Sequence, residues 1–289
     1  MRGPARHMRH TSARTALELP ARSLRVTGPE FAFSAGNLDW SAMDTDIAQA
    51  NRTWWDGDAE RYHHSHASYL SSFYWCPEML HEADAQLLGD VSGATVLELG
   101  GGSAPCASWL AGQGADFVTA FDISMGMLTR ADRDAGVGLV QADAQALPYR
   151  SDSFDVVFSA FGALPFVPDV DAVLRDVARV MRPGGRLVFS VNHPMRWVFA
   201  DDPGVAGLTA MIPYFERSYI ETDDAGDVVY AEYHRTFGDW VRAINGAGLK
   251  LVDVLEPAWP DGLEETWGQW SPLRGRIFPG TAIFLTELP

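Results

Sequence analysis

The sequence predicts a doubly wound α/β fold, in which a mostly parallel sheet is covered by helices on both faces. Two observations support this prediction. Residues 95–105 read as a buried apolar strand, a tight glycine turn and the start of a helix, which is the ligand-binding half of such folds. After it, short apolar runs alternate with helical segments, and this alternation is typical of a parallel sheet with crossover helices.

Seven strands are expected in this sheet. A helix should follow the glycine turn over residues 106–111, and an amphipathic helix is indicated over 170–181 by apolar positions three and four apart. A further helix is expected over about 236–247. The predicted strands are residues 95–99, 116–121, 139–141, 155–161, 186–191, 249–254 and 282–285.

Three segments lie outside this regular pattern. Residues 1–42 carry scattered arginines without periodicity and are expected to be a disordered or non-native extension. Residues 43–90 are helical and aromatic, and we interpret them as an N-terminal cap with helices broken near Pro77, the last over about 78–88. Within the main domain, residues 91–289, an insertion over about 195–233 should form a β-hairpin around the turn at 223–227, because alternating residues flank that turn.

Composition limits the function. The chain has 289 residues, 47% of them hydrophobic, and a formal net charge of −16. This acidity argues against nucleic-acid binding, which needs basic surface, and against docking on anionic membranes. We therefore expect a small-molecule substrate, with no nucleic-acid and no membrane partner. Whether the protein is a monomer or a homodimer is left open.

Cysteine content and hydropathy indicate the compartment. Two cysteines do not make a disulfide framework, and no apolar run has the roughly 18 to 20 residues of a membrane span. These features predict a cytoplasmic protein.

Glu98 indicates the kind of ligand at the glycine turn. It lies two residues before Gly100, inside a strand, where a carboxylate is costly unless it meets a donor or a cation. A ligand that carries an ammonium group would supply that cation.

With these residues the chain resembles class I S-adenosylmethionine-dependent methyltransferases. Glu98 to Ala104 is similar to their first motif, acid-x-Gly-x-Gly-x-Gly, except that Ala104 replaces the third glycine. We expect this position to require only a small side chain. Further similarity is seen in DISMGML at 122–128, in LPYRSDSFDVV at 147–157 and in LRPGG, which occurs here as MRPGG at 181–185. Together these motifs point to the small-molecule branch, methyltransferase domain type 11, which is similar to ubiquinone and menaquinone methyltransferases.

The resemblance implies S-adenosyl-L-methionine as cofactor, with S-adenosyl-L-homocysteine as product, and it suggests cofactor-binding residues. Asp122 follows the glycine turn by about 20 residues, the spacing at which an acid accepts hydrogen bonds from ribose hydroxyls. Asp143 is expected at the adenine amine. The other residues implied are Gly100, Gly101, Gly102, Ile123, Met127, Ala144, Ser159 and Ala160.

Two histidines and a tyrosine are further candidates. Tyr62 and His66 lie one helical turn apart, where related enzymes bring an aromatic ring or a histidine over the cofactor. His193 follows the fifth strand and is the best-placed general base, although bonding to nearby backbone is an equal alternative. His63, His64 and His66 could suggest a metal site, but a solvated cluster is the better interpretation and we expect no metal.

The expected reaction is methyl transfer to a small, partly apolar acceptor on oxygen, nitrogen or carbon. Enzymes that methylate amino groups on bases carry Asn-Pro-Pro-aromatic after the fourth strand, whereas this chain has Ser159, Ala160 and Phe161. Two alternatives stay open at this point. One is a non-catalytic S-adenosylmethionine-binding scaffold, and the more remote one is an NAD-dependent dehydrogenase.

Overall fold

A computed structural model describes the backbone of residues 40–289 and the side chains from Ile47 onward. The predicted extension over residues 1–42 therefore lies outside the described residues, except that its last three positions belong to helix α1, Trp40–Ser65. A short 3₁₀ turn, Tyr69–Ser71, follows α1.

The prediction of a helix over residues 78–88 is wrong. Only one turn forms there, α2, Glu82–Ala85, and it ends where Gln86 takes a left-handed conformation with φ of 50°. The carboxylate of Glu82 then accepts hydrogen bonds from the backbone N–H of Leu87 at 3.1 Å and of Leu88 at 2.8 Å. These bonds give the two N–H groups acceptors, so the helix need not continue.

Seven strands form one sheet, as predicted. In order across the sheet they are β3, β2, β1, β4, β5, β9 and β8, with β9 antiparallel to both of its neighbours and the other pairs parallel. Two further strands, β6 and β7, form a separate antiparallel pair. The bounds are β1 Thr95–Leu99, β2 Phe117–Asp122, β3 Gly138–Gln141, β4 Phe154–Ala160, β5 Met181–Asn192, β6 Ser218–Thr222, β7 Val228–Tyr233, β8 Lys250–Leu255 and β9 Thr281–Glu287.

Helices cover both faces of the sheet, and each face has its own apolar core. On one face α5 and α6 bury Leu174, Val177 and Trp240 against strand residues such as Phe189. On the other face Trp75 from the N-terminal segment packs among α3 residues and the inner strands. The remaining helices are α3 Pro105–Ala111, α4 Met125–Leu128, α5 Val170–Val180, α6 Phe237–Gly246 and α7 Pro272–Gly275.

The start of β5 differs from the prediction. We expected the helix to reach residue 181 and the strand to begin at Arg186, but α5 ends at Val180 and β5 begins at Met181. The reason is tertiary, because Met181 pairs with Phe154 at the start of β4 before the register shifts.

The insertion after β5 carries the predicted hairpin. Its turn is closed by Asp223, whose carboxylate accepts hydrogen bonds from the N–H groups of Ala225 and Asp227 at 2.9 and 3.0 Å. Asn51 of α1 bonds both to the N–H of Ala231 at 2.8 Å and to its carbonyl at 3.0 Å, like an added strand residue. The hairpin is therefore held against the N-terminal helix.

Candidate functional site

The glycine turn after β1 needs left-handed backbone at three positions. Gly100 and Gly102 have φ of 64° and 58°, and Ala104 has φ of 55°. Our expectation that Ala104 requires only a small side chain is therefore incomplete, because its backbone is also one that glycine adopts most easily. Ala104 is fully buried and forms the N-cap of α3.

Gly162, together with Gly100, lets the chain segments after β1 and β4 touch. A Cβ atom on Gly162 would lie 2.2 Å from the carbonyl oxygen of Leu99, and one on Gly100 would lie 2.3 Å from the nitrogen of Ala163. No side chain fits at either place. The floor of the site is therefore bare main chain at the carboxyl end of the sheet, where open α/β sheets bind ligands.

Glu98 is buried at the end of β1. Its carboxylate accepts a hydrogen bond from the N–H of Ala107 at 3.1 Å, and a Cβ atom on Gly101 would lie 2.9 Å from it. Burial, with Asp122 as a further contribution, raises the pKa of the Glu98 carboxyl to about 8. Since Glu98 has no cation within ion-pair distance in the described part of the chain, a cationic ligand group would stabilise its ionised form.

Asp122 ends β2 opposite this turn. One oxygen accepts from the N–H of Gly102 and the other from the N–H of Ser124, both at 2.8 Å. Burial, with the charge of Asp56 as a smaller contribution, raises the pKa of the Asp122 carboxyl to about 6. Each oxygen has remaining acceptor capacity, so the carboxylate can also accept from ligand hydroxyls.

The residues after β3 form the far end of the same site. Asp143 accepts a hydrogen bond from the N–H of Gln145 at 2.9 Å, which fixes the carboxylate in the loop. Ala144 beside it is buried. On the facing side Met127 reaches the turn, since its methyl lies 3.0 Å from where a Cβ on Gly102 would be.

These residues line one cavity, whose empty space is about 1020 Å³ when the open solvent at its mouth is included. The structure brings eleven of the fourteen predicted site residues into its wall. They are Tyr62, Glu98, Gly100, Gly101, Gly102, Asp122, Ile123, Met127, Asp143, Ala144 and Ala160.

Ser159 and His66 are not in the cavity wall. The hydroxyl of Ser159 is buried and donates to the carbonyl of Leu99 at 2.9 Å, so it joins β4 to β1. The ring of His66 stacks on Trp267 with centroids 3.8 Å apart, and burial lowers its pKa to about 4. The geometry gives both residues packing roles.

His193 is also absent from the wall. Its Nε2 lies 2.6 Å from a carboxylate oxygen of Glu256, and its Nδ1 accepts the N–H of Met195 at 3.1 Å. Both ring nitrogens are therefore engaged within the protein. This corresponds to the backbone-bonded alternative and does not support a general base at this position.

Apart from Tyr62, the aromatic residues of the cavity were not singled out from the sequence. Tyr69 is the most informative, because it is buried, lines the cavity and has a hydroxyl with no hydrogen-bond partner among the described residues. Burial raises the pKa of that hydroxyl. The only sequence signal was the high aromatic content of the N-terminal segment. The other aromatic wall residues are Trp55, Phe121, Phe161 and Phe166.

A clasp joins α1 to the start of α4. One carboxylate oxygen of Asp56 accepts from the Ser124 hydroxyl at 2.6 Å and from the N–H of Gly126 at 2.7 Å. A Cβ on Gly126 would lie 2.8 Å from the Asp56 carbonyl, so glycine is needed for this approach. The N-terminal helix is thereby fastened next to Asp122.

The three histidines at and just after the end of α1 do not converge. His63 bonds through Nδ1 to the carbonyl of Ala59 at 2.7 Å, His64 is exposed, and His66 stacks on Trp267. Within residues 47–289 we find no group of three or more potential metal ligands. None of the helices described is both long and apolar enough to cross a bilayer.

The cavity fits S-adenosylmethionine in its chemistry. Glu98 offers a carboxylate to an ammonium, Asp122 offers acceptors to hydroxyls, and the glycine turn lets a ligand contact main chain. The rings of Trp55 and Tyr62 are available to a sulfonium, for which cation–π attraction is worth about 0.5–2 kcal/mol. When bound, the cofactor supplies an electrophilic methyl group, and the protein mainly has to align it with the acceptor.

Known proteins agree with this interpretation. The profile of the methyltransferase domain family matches residues 97–189. A demethylmenaquinone methyltransferase from Mycobacterium marinum is 39% identical over 255 residues, covering 85% of this chain and 95% of that protein. One from Mycolicibacterium vanbaalenii is 50% identical over 200 residues, covering 66% of this chain and 74% of that protein.

A solved structure shows the same fold. The S-adenosylmethionine-dependent methyltransferase from Mesorhizobium loti is 28% identical, with a TM-score of 0.59 over 71% of this chain and 95% of that one. The relatives, the family profile and the cavity lead to one conclusion: the chain belongs to the class I S-adenosylmethionine-dependent methyltransferases of the small-molecule branch and is an enzyme that transfers a methyl group from this cofactor.

Proposed function

We propose that the acceptor is a small, largely apolar aromatic molecule of the quinol type. The observation that carries this proposal is the composition of the cavity wall away from the glycine turn. There Trp55, Tyr69, Phe161 and Phe166 offer ring surfaces to a flat apolar substrate. Aromatic rings pair well in offset or edge-to-face contacts.

Two further observations support this acceptor class. Two of the relatives described above are named demethylmenaquinone methyltransferases, so a demethylmenaquinol is the first acceptor to try. A net charge of −16 makes a nucleic acid a poor substrate, since phosphate binding relies on basic residues. We also propose that Glu98, the glycine turn, Asp122 and Asp143 bind the cofactor in the roles given above.

We propose a cytoplasmic location as well. Both cysteines, Cys76 and Cys106, are buried free thiols, and unpaired cysteines are typical of reducing compartments. Fractionation of the native host, with the protein followed by antibody, would test this. Recovery outside the cytoplasm would contradict it.

The acceptor class is tested by a product screen. The purified protein is incubated with S-adenosylmethionine that carries a deuterated methyl, together with demethylmenaquinol, simple naphthols, aliphatic amines or RNA. We expect labelled product from the aromatic hydroxyl compounds alone. Product only from amines or RNA, or no product from any aromatic acceptor, would contradict the proposal.

A matched pair of variants links the product to the cavity. Phe166→Leu reduces the aromatic wall and should raise KM for the acceptor, because ring contacts are lost. Phe117→Leu changes the same residue type at an exposed position of β2 and should leave KM unchanged. Equal effects of both changes on KM would show that the acceptor does not bind against this aromatic wall.

A further inference from the structure

A half-buried arginine lies beyond the carboxyl end of β5. Arg196 belongs to the 3₁₀ turn Pro194–Val198, and its guanidinium carbon is 3.8 Å from the ring centroid of Trp270. Its Nε is buried and unpartnered, and among the described residues its side chain makes no ion pair within 4.0 Å. Burial lowers the pKa of Arg196 to about 10. A buried donor without a partner is costly, so the Nε–H of Arg196 is free for a ligand.

A carboxylate whose charge interacts with this arginine is bonded to an amide. Glu232 of β7 accepts a hydrogen bond from the side-chain amide of Asn192 at the end of β5, and the Tyr230 hydroxyl lies 3.5 Å from its other oxygen. The charge of Arg196 acts on Glu232, whose pKa is nevertheless raised by burial. We name Arg196, Asn192 and Glu232 the polar cluster.

Unsatisfied atoms concentrate here. The Oδ1 of Asn192 and the indole Nε1 of Trp270 are buried without partners, as is the Nε of Arg196. Trp270 itself is only 8% exposed. Because native proteins leave few buried polar atoms unpaired, three around one arginine indicate a ligand that supplies both a donor and an acceptor.

Aromatic ring pairs connect the cavity wall to the residues around the polar cluster. Phe161 lines the cavity and lies 5.5 Å from Trp270, and Phe166 lines it and lies 6.0 Å from Tyr230, measured between ring centroids. Phe161 also has φ of 52°, a strained conformation for a bulky residue. Such strain occurs most often at functional sites.

We propose that the polar cluster binds the hydroxyl group of the aromatic acceptor, with Glu232 accepting its proton and Arg196 stabilising the oxygen anion. This inference rests on the proposed function. A hydroxyl suits the cluster because it donates to a carboxylate and accepts from a guanidinium. A permanent anion would instead meet the negative charge of Glu232.

The step is balanced in atoms and charge. The acceptor's O–H bond breaks and its proton goes to the Glu232 carboxylate. An electron pair from the oxygen, or from a ring carbon conjugated with it, then forms the new bond to the methyl carbon. The bond from that carbon to sulfur breaks, and its electron pair stays on sulfur as a thioether. A methylated ring carbon afterwards loses its own proton to water.

The test compares 1-naphthol with 1-methoxynaphthalene, which has the same rings but no hydroxyl. Binding of each is measured by calorimetry on the full chain in the presence of S-adenosylhomocysteine. We expect the wild type to prefer 1-naphthol by about tenfold, the strength of a hydrogen bond to a charged group. Glu232→Gln and Arg196→Met should lose most of this preference while their affinity for S-adenosylhomocysteine stays unchanged.

Two control variants match these changes. Glu216→Gln and Arg242→Met alter exposed residues of the same types and should keep the wild-type preference. If Arg196→Met does not fold by circular dichroism, Arg196→Lys, which keeps the charge but removes the guanidinium fork, carries the test with Glu232→Gln.

The outcomes separate the two proposals. Equal wild-type affinity for the two probes, or an unchanged preference in the cluster variants, overturns the inference even if an aromatic acceptor is methylated. A preference that the cluster variants lose supports the cluster. If no aromatic acceptor is methylated, the proposed function fails by its own screen.

Discussion

Glu98 should make cofactor binding depend on pH. The perturbation is Glu98→Gln, which keeps the shape but removes the charge. In the unliganded protein the pKa of the carboxyl is about 8, and the ligand ammonium needs the ionised form. A carboxyl with that pKa is ionised to roughly 3% at pH 6.5 and roughly 24% at pH 7.5. The association constant should therefore rise roughly eightfold across this window in the wild type.

The window from pH 6.5 to 7.5 separates the titration of Glu98 from that of neighbouring groups. It lies above the pKa of Asp122, which is about 6, and below that of an α-ammonium, which is about 8. The assay is calorimetric titration with S-adenosylhomocysteine at several pH values. Glu98→Gln should bind S-adenosylhomocysteine more weakly, with an association constant that does not change with pH. The wild type should show the same two effects with 5′-methylthioadenosine, which lacks the amino-acid part. Glu60→Gln, an exposed change on α1, should keep the wild-type slope.

The same carboxyl should affect the unliganded fold in the opposite direction. Its pKa is raised from 4.5 to about 8, so the folded protein holds a proton that the unfolded chain releases. Its contribution to stability is complete below pH 4.5 and is lost as pH rises through 8, at about 1.4 kcal/mol per unit of pKa shift. The melting temperature of Glu98→Gln should consequently fall less between pH 5 and 8. A flat wild-type binding profile, or an unchanged slope in the variant, would refute this reasoning.

Three further changes test the site. Gly162→Ala should lower the melting temperature, because its Cβ would lie 2.2 Å from a carbonyl oxygen. Gly57→Ala meets open space and should stabilise the fold by about 1 kcal/mol through helix propensity, so its melting temperature should rise. An unchanged melting temperature for Gly162→Ala would contradict the close contact between the segments after β1 and β4. Asp56→Ala removes the clasp and should weaken S-adenosylhomocysteine binding roughly threefold to tenfold, after discount for exposure, and unchanged titration would argue against it. Tyr69→Phe deletes an unpartnered hydroxyl. The melting temperature of the unliganded protein should therefore stay the same or rise, while the affinity for S-adenosylhomocysteine falls about tenfold. A lower melting temperature with unchanged affinity would show that the hydroxyl serves the fold.

Local sequence was sufficient for the sheet and for the part of the site built from strand ends. Glu98 and Asp122 lie at the carboxyl ends of neighbouring parallel strands, so their meeting at one edge follows from topology. Ser159 lies next to the end of β4, but its hydroxyl turns back to the carbonyl of Leu99 and is not in the cavity wall. Residue position along a strand does not determine that choice of partner.

The remainder depends on contacts between distant segments. Trp267, from the loop before β9, stacks on His66 and keeps that ring out of the cavity. Glu256 similarly engages His193 from a different part of the chain. The polar cluster brings a residue after β5 near one on the hairpin. The distance between Arg196 and Glu232 along the sequence gives no sign that the two interact.

The most direct test of the account is titration of the wild type and of Asp122→Ala with S-adenosylhomocysteine, with NADH as a second ligand. Asp116→Ala, at the exposed start of the same strand region, is the matched control. The account predicts micromolar binding by the wild type and by Asp116→Ala, binding at least about tenfold weaker by a folded Asp122→Ala, and none for NADH. Equal affinity of the wild type and a folded Asp122→Ala would contradict the cofactor site described here.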